Sequence, residues 1–270
     1  MKTIRFILAV TFLLTFQYGV ANAAINFVDS NSAGKSGGIA FTELDIGATT
    51  GEEGEFELLS CATQSDGSNF FTNAEPNWDD FNLGDCGGSN CTMGIFTKLA
   101  PEPNNVGNTC FWNDPTNAAT GIVTRYSGVN GNVPIADFEC NTGIGNVATA
   151  PEVNAPEGSF IIRIYGANGN FLDAANLPGS KEFGRSFGGG SQSSLFVYGE
   201  PFPDGGVADE VSISYQLVDT AWRACAVSLI MDGAPRIAPI PTLNEWGFLA
   251  FAVLAGASGL WFIRRRSVTA

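Results

Sequence analysis

Val211-Ser-Ile-Ser-Tyr-Gln-Leu217 alternates strictly between apolar and polar positions, so Val211, Ile213, Tyr215 and Leu217 share one face. A period of two held over seven residues is the mark of a half-buried β-strand. Ser159 to Tyr165, Ser194 to Tyr198, Gly121 to Tyr126, Ile39 to Ile46 and Ala221 to Met231 give weaker or more fully apolar versions of the same signal. Turn sequences lie between them: Asn130-Gly131, Asn168-Gly169, Pro178-Gly179 and Asp204-Gly205-Gly206. Hardly any helical periodicity is present in the body. Many short strands joined by Gly and Asn turns predict a mostly β chain, folded as an antiparallel β-sandwich or a jelly-roll-like ectodomain.

Two apolar runs depart from this pattern, one near each end. Ile7 to Phe16 follows Lys2 and Arg5 and precedes Ala21-Asn22-Ala23, the order of a secretory signal peptide over residues 1–23. The run is shorter than the roughly 20 residues that a spanning helix needs. Trp246 to Ile263 carries no charge and is apolar all round, which predicts a C-terminal transmembrane helix placed at 248–263. Arg264, Arg265 and Arg266 follow at once and bias that end, with residues 267–270, toward the cytoplasm. The body, residues 24–232, is then extracytoplasmic.

Ile240-Pro241-Thr242-Leu243, two further residues and Trp246-Gly247 precede the apolar run. Pro239 and Pro241 lack backbone donors and favour an extended chain, suited to lying in a protease-like cleft. Residues 233–239 form a Pro-containing spacer, and Trp246 suits the headgroup level of a bilayer. This motif, followed by a membrane-length segment and an Arg cluster, resembles the IPTLxxWG-CTERM sorting signal of Gram-negative surface proteins, similar in plan to PEP-CTERM tails. The resemblance implies that residues 240–266 are read and cleaved by an exosortase-like membrane protease. It implies an inner-membrane anchored intermediate that ends at the cell surface or outside the cell. In that reaction the chain is substrate, and the helix is its contact with the membrane.

Charge narrows the partners. Lys2, Arg5 and Arg264 to Arg266 place five of the 13 basic residues at the ends, and Glu245 one of the 27 acidic ones, so the body with its spacer, residues 24–239, keeps 8 against 26, net −18. Such a field opposes nucleic acid and anionic lipid. Cys61, Cys86, Cys91, Cys110, Cys140 and Cys225 all lie in the exported part, which points to disulfides. Six cysteines allow fifteen pairings, and the sequence does not choose among them; the Cys86 to Cys91 segment is flexible enough to close on itself, and Cys225, in an expected strand, can staple the end of the domain back to an earlier part. Phe70 to Asn117, rich in Asn, Gly, Asp, Pro and Cys, is predicted to be a disulfide-braced loop region, and 146–158 a subdivision of the body.

The chain has no histidine, which excludes Ser-His-Asp, Cys-His and histidine-based metal chemistry. Asp79, Asp80, Asp85, Glu102 and Asp114 are candidates by type for paired-carboxylate glycoside hydrolysis, weighed against solvated loop acids. Asp79, Asp80 and Asp85 are also weak calcium candidates, with no EF-hand or nonapeptide pattern; no other cofactor is implied. Trp78 and Trp112 are candidate glycan contacts, weighed against burial in a small aromatic core. The expectation is a non-enzymatic surface or extracellular-matrix protein, with exopolysaccharide or other matrix components as partners. The alternative is a secreted carbohydrate-binding or glycan-cleaving module.

Overall fold

The computed structural model of the chain describes residues 24–64, 78–87, 91–105, 108–169, 181–188, 193–214 and 220–233, with the backbone alone at 37, 38, 104, 105, 114 and 181–188. The expected signal peptide, the turn at Pro178-Gly179, the spacer beyond Gly233, the sorting motif and the membrane helix lie outside these residues. The described residues contain no helix and sixteen strands. The first half of the body runs β1 (Asn26–Asp45), β2 (Thr49–Thr50), β3 (Phe56–Thr63), β4 (Asp79–Asp85), β5 (Thr92–Leu99), β6 (Asn104–Asn105) and β7 (Thr109–Ser127). Next come β8 (Ile135–Ile144), β9 (Val147–Ala150), β10 (Val153–Ala155), β11 (Ser159–Ala167) and β12 (Lys181–Gly188). The last are β13 (Ser193–Phe202), β14 (Gly206–Ala208), β15 (Val211–Ser214) and β16 (Ala221–Leu229).

Two antiparallel five-stranded sheets carry the fold, one in the order β1-β7-β3-β5-β4 and the other β12-β13-β11-β16-β8. Each sheet is drawn from one contiguous half of the body. Their facing sides share a core: Phe56, Leu58, Met93, Ile95, Ile122 and Tyr126 from the first sheet meet Phe160, Ile162, Ile164, Leu195, Val197 and Val227 from the second. Arg223 adds a polar tie, reaching from β16 to the Asn82 Oδ1 (2.6 Å) and the Asp85 carbonyl (3.2 Å) of β4.

The far side of each sheet is covered as well. Over the first, the second half of β1 pairs with the first half of β7, and this ribbon brings Leu44, Cys110 and Trp112 down onto Leu59, Cys61, Phe96 and Val123. Over the second, the paired strands β9–β15 and β10–β14 set Ala148, Ala150, Val153, Ala208 and Ile213 against Ile161, Tyr165, Phe196, Tyr198 and Ala226. The middle strands β3 and β11 are therefore buried at every position. Burial on both faces removes the need for alternation and explains their near-continuous apolar character.

All six cysteines are joined, as Cys61–Cys110, Cys86–Cys91 and Cys140–Cys225. Cys140 and Cys225 stand directly opposite one another on β8 and β16. Cys86–Cys91 closes the turn between β4 and β5, as their proximity in the chain allowed. Cys61–Cys110 ties the covering ribbon to the sheet beneath. Its room comes from Gly121, the register partner of Cys61, where a Cβ would fall 3.0 Å from the Cys110 sulfur and 2.4 Å from Ile46 Cδ1.

The Phe70 to Asn117 stretch differs from its expected loop character. From Asp79 onward it holds β4, β5, β6 and the start of β7, so most of its described length is sheet. The reason is burial again: Thr92 to Thr97 is inaccessible along β5 despite Gly94 and three Thr and Met positions that break any simple pattern. At 146–158 the chain forms β9 and β10, which cover the outside of the second sheet. The turns behave as their residues dictate. Asn130 Oδ1 accepts the Asn132 and Val133 N–H groups at 3.0 and 3.1 Å, and Gly205 takes φ 66°, where a Cβ would stand 2.8 Å from Glu157 N.

Loop-closure entropy ranks the bridges. Cys61–Cys110 and Cys140–Cys225 close separations of 49 and 85 residues and should each contribute about 4 kcal/mol, against about 2 for the 5-residue Cys86–Cys91 loop. Paired Cys→Ala variants followed by urea unfolding should keep that order; equal losses would contradict it.

Candidate functional site

Three charged side chains stand in one row across the middle of the first sheet. Glu57 on β3 is the register partner of Lys98 on β5 and of Arg125 on β7, and all three point to the covered outer side. Lys98 Nζ lies 3.5 Å from Glu57 Oε2, and Arg125 Nη1 lies 3.6 Å from Glu57 Oε1. Glu55, just before β3, receives the Arg125 Nε–H at 2.8 Å, so two cations meet two carboxylates. Glu57 and Arg125 are wholly buried. Charges this far from water persist only when paired and hydrogen-bonded.

The row also binds the segments that cover it. The Arg125 guanidinium donates to the carbonyl oxygens of Pro103 at 3.1 Å, Glu102 at 3.3 Å and Glu52. The Thr49 hydroxyl donates to Glu57 Oε1. Lys98 Nζ donates to Asn108 Oδ1 at 3.5 Å, and Asn108 Nδ2 donates to the Gly47 carbonyl at 2.9 Å. The Trp78 ring closes over the ammonium, its centroid 4.1 Å from Nζ. A fork of five donors suits Arg for gathering several acceptors at once.

The second sheet repeats the device. Arg163 on β11 pairs with Glu200 and donates to the Asp209 carbonyl at 3.0 Å, while the Tyr165 hydroxyl donates to the Val211 carbonyl at 2.9 Å. Burial pushes the Tyr165 phenol well above its ordinary range and keeps it a donor. Beside β8 an open groove of about 360 Å³ is lined by Asp137, Glu139, Pro151, Glu152, Asn154 and Val207, among others. Asp137 accepts the Asn154 backbone N–H at 2.7 Å, its side-chain N–H at 2.9 Å and the Phe138 N–H at 2.9 Å. The Asn154 backbone bond above all holds the Asp137 carboxyl below the usual carboxylate range.

The residues expected to carry chemistry are scattered. Trp78 and Trp112 are both 3 % exposed: the first covers Lys98, and the second donates its indole N–H to the Phe41 carbonyl at 2.7 Å and packs edge-on against the Phe41 ring. Their burial favours the aromatic-core reading. Asp79, Asp80 and Asp85 are exposed on β4, where neighbouring residues face opposite sides, and Asp85 accepts the Thr92 hydroxyl at 3.2 Å. Glu102 is exposed, and the Asp114 side chain lies outside the description. Among the described residues no three acidic or sulfur side chains come together as a metal site. Sequence reasoning passed over Glu57, Lys98, Asn108, Arg125 and Arg163. The available signal was a charge set inside an apolar strand, as Glu57 between Phe56 and Leu58 or Arg163 between Ile162 and Ile164.

Residues 238–266 match the IPTL-CTERM motif. No curated protein and no solved structure matches the chain. The motif covers the tail alone and implies recognition by an exosortase-like enzyme and direction to the cell surface; the body has no recognised family. The motif residues Ile240, Pro241, Thr242, Leu243, Trp246 and Gly247, and the cluster Arg264 to Arg266, lie outside the described residues.

Arg125→Met should destabilise the body by about 3–5 kcal/mol, because it leaves buried carboxylates short of a partner. Asp79→Asn, on the exposed edge, should stay within about 0.5 kcal/mol in the same urea titration. Asp137 gives a pH signature. Its folded pKa is lowered, so its stabilising effect is present above the unfolded value and fades as pH falls through the folded one. The stability gap between wild type and Asp137→Asn should therefore be open at neutral pH and closed in strong acid; a constant gap would refute the assignment.

Proposed function

We propose that the chain is an exported, non-enzymatic surface or matrix protein, delivered by residues 1–23 and held in the inner membrane by a helix at 248–263. An exosortase-like membrane enzyme then releases it by cutting in the 240–266 tail. The observation that carries this reading is the motif match over 238–266. The body agrees with it in two ways. Complete pairing of six cysteines suits an oxidising compartment outside the cytoplasm. A fold covered on both outer faces and braced by buried ion pairs suits long service where no chaperone acts.

In the released protein the body, residues 24–232, is the cargo, and residues 233–239 are the spacer that offers the motif to the membrane enzyme. Its acidic surface keeps it apart from anionic lipid and nucleic acid, and polysaccharide or other matrix components are the partners this reading assigns. The carbohydrate-module alternative would need exposed aromatic platforms, and Trp78 and Trp112 are spent on packing.

Mass spectrometry of the protein from its native host decides the matter. The mature chain should start at Ala24 and end upstream of Phe248. Replacing Pro241 and Trp246 by Ala should make a longer, membrane-bound form accumulate. Recovery of mature protein still carrying Arg264 to Arg266 would reduce the tail to a permanent anchor.

A further inference from the structure

Lys98, Asn108 and Glu57 form a buried trio of amine, carboxamide and carboxylate. Lys98 Nζ stands 3.5 Å from Asn108 Oδ1 and 3.5 Å from Glu57 Oε2. Asn108 and Glu57 are fully inaccessible and Lys98 is 8 % exposed. The Asn108 amide is oriented by its Nδ2 bond to the Gly47 carbonyl, which turns the carbonyl end toward the amine. Glu57 is in turn fixed by Thr49 and Arg125. An amine held at the carbonyl oxygen of a carboxamide, with a proton acceptor in contact and water largely excluded, is an arrangement that suits acyl transfer as well as charge balance.

We propose that Lys98 and Asn108 join in an intramolecular amide bond, with Glu57 as the catalytic residue. Glu57 takes a proton from the Lys98 ammonium. The freed Nζ lone pair attacks Asn108 Cγ, forming the C–N bond and moving the carbonyl π electrons onto Oδ1. A second proton passes from Nζ to Nδ2, the carbonyl re-forms, the Cγ–Nδ2 bond breaks and ammonia leaves. The step is a transamidation without oxidant or co-reactant: the ammonium, carboxylate and carboxamide become a secondary amide, a carboxylic acid on Glu57, and ammonia. Charge within the cluster stays balanced, with Arg125 facing Glu55.

Each neighbour has a part in this. Trp78 covers the amine and keeps it from solvent. Arg125 positions Glu57 and does not touch the reacting atoms. The bond would clamp the end of β5 to the residue just before β7, closing the segment whose carbonyls hold Arg125. Unlike the three disulfides, it would survive reduction.

The test is the mass of the full-length protein, exported and purified with its own processing, after reduction of its disulfides. Wild type should be lighter by one ammonia than its sequence for the termini observed. Trypsin should fail to cut after Lys98, and fragment spectra should place the loss between Lys98 and Asn108. Lys98→Arg, Asn108→Ala and Glu57→Gln should each retain the full mass. Should a variant fail to fold, the wild-type peptide map decides alone. A wild-type chain at full mass that is cut freely after Lys98 overturns the proposal, as does an ammonia loss that persists in Lys98→Arg.

Discussion

A carboxylate in the middle of a sheet, out of reach of water, has to be matched by cations at bonding distance, and Glu57 is matched from both sides. That constraint reaches well beyond the pair of bonds. Lys98 and Arg125 occupy the strands on either side, so the row sets the register of β5, β3 and β7 as firmly as their apolar faces do. Arg125 then uses its remaining donors on the carbonyls of two loops. The outer layer of the first sheet is thus held by directional bonds where apolar contact runs out. Arg163 performs the same task on the second sheet with Glu200 and the Asp209 carbonyl. Each half of the body has a buried arginine near the centre of its sheet, and each covering layer hangs from it.

The mostly β character, the antiparallel pairing and the presence of disulfides could be read from turn residues, apolar runs and cysteine usage. The cleanest period-two signal misleads about importance. Val211 to Leu217 contains β15, a four-residue strand of which Ile213 alone is buried. Alternation records a strand wet on one side, whereas β3, the central strand of the first sheet, is dry on both and escapes that test. Composition obscures β4 in another way, since its Asp, Asn and Gly residues belong to an edge strand. The buried row escapes for a third reason. Glu57, Lys98 and Arg125 are far apart in the chain, and only the pairing of strands makes them neighbours.

The tail follows the opposite logic. Its signal lies in residue types and their order along the chain, which is how the match over 238–266 is made. Trp78 and Trp112 show the limit of such reading when applied to a folded body. Loop-like neighbours make an indole look available, yet Trp78 lies over Lys98 and Trp112 binds the Phe41 carbonyl. Surroundings in sequence and surroundings in space differ most where a chain folds back over its own sheet, as the β1–β7 ribbon does.

Each sheet comes from one contiguous half of the body, and no disulfide passes from one to the other. A chain that emerges from a translocon amino end first can therefore complete the first sheet and its two bridges while the second half is still threading. In that interval Phe56, Leu58, Met93 and Ile95 present a bare apolar wall. The wall is sealed when the strands from Ile135 onward arrive, so the period of greatest exposure to misassembly is set by how soon the second half follows the first rather than by the stability of the finished protein.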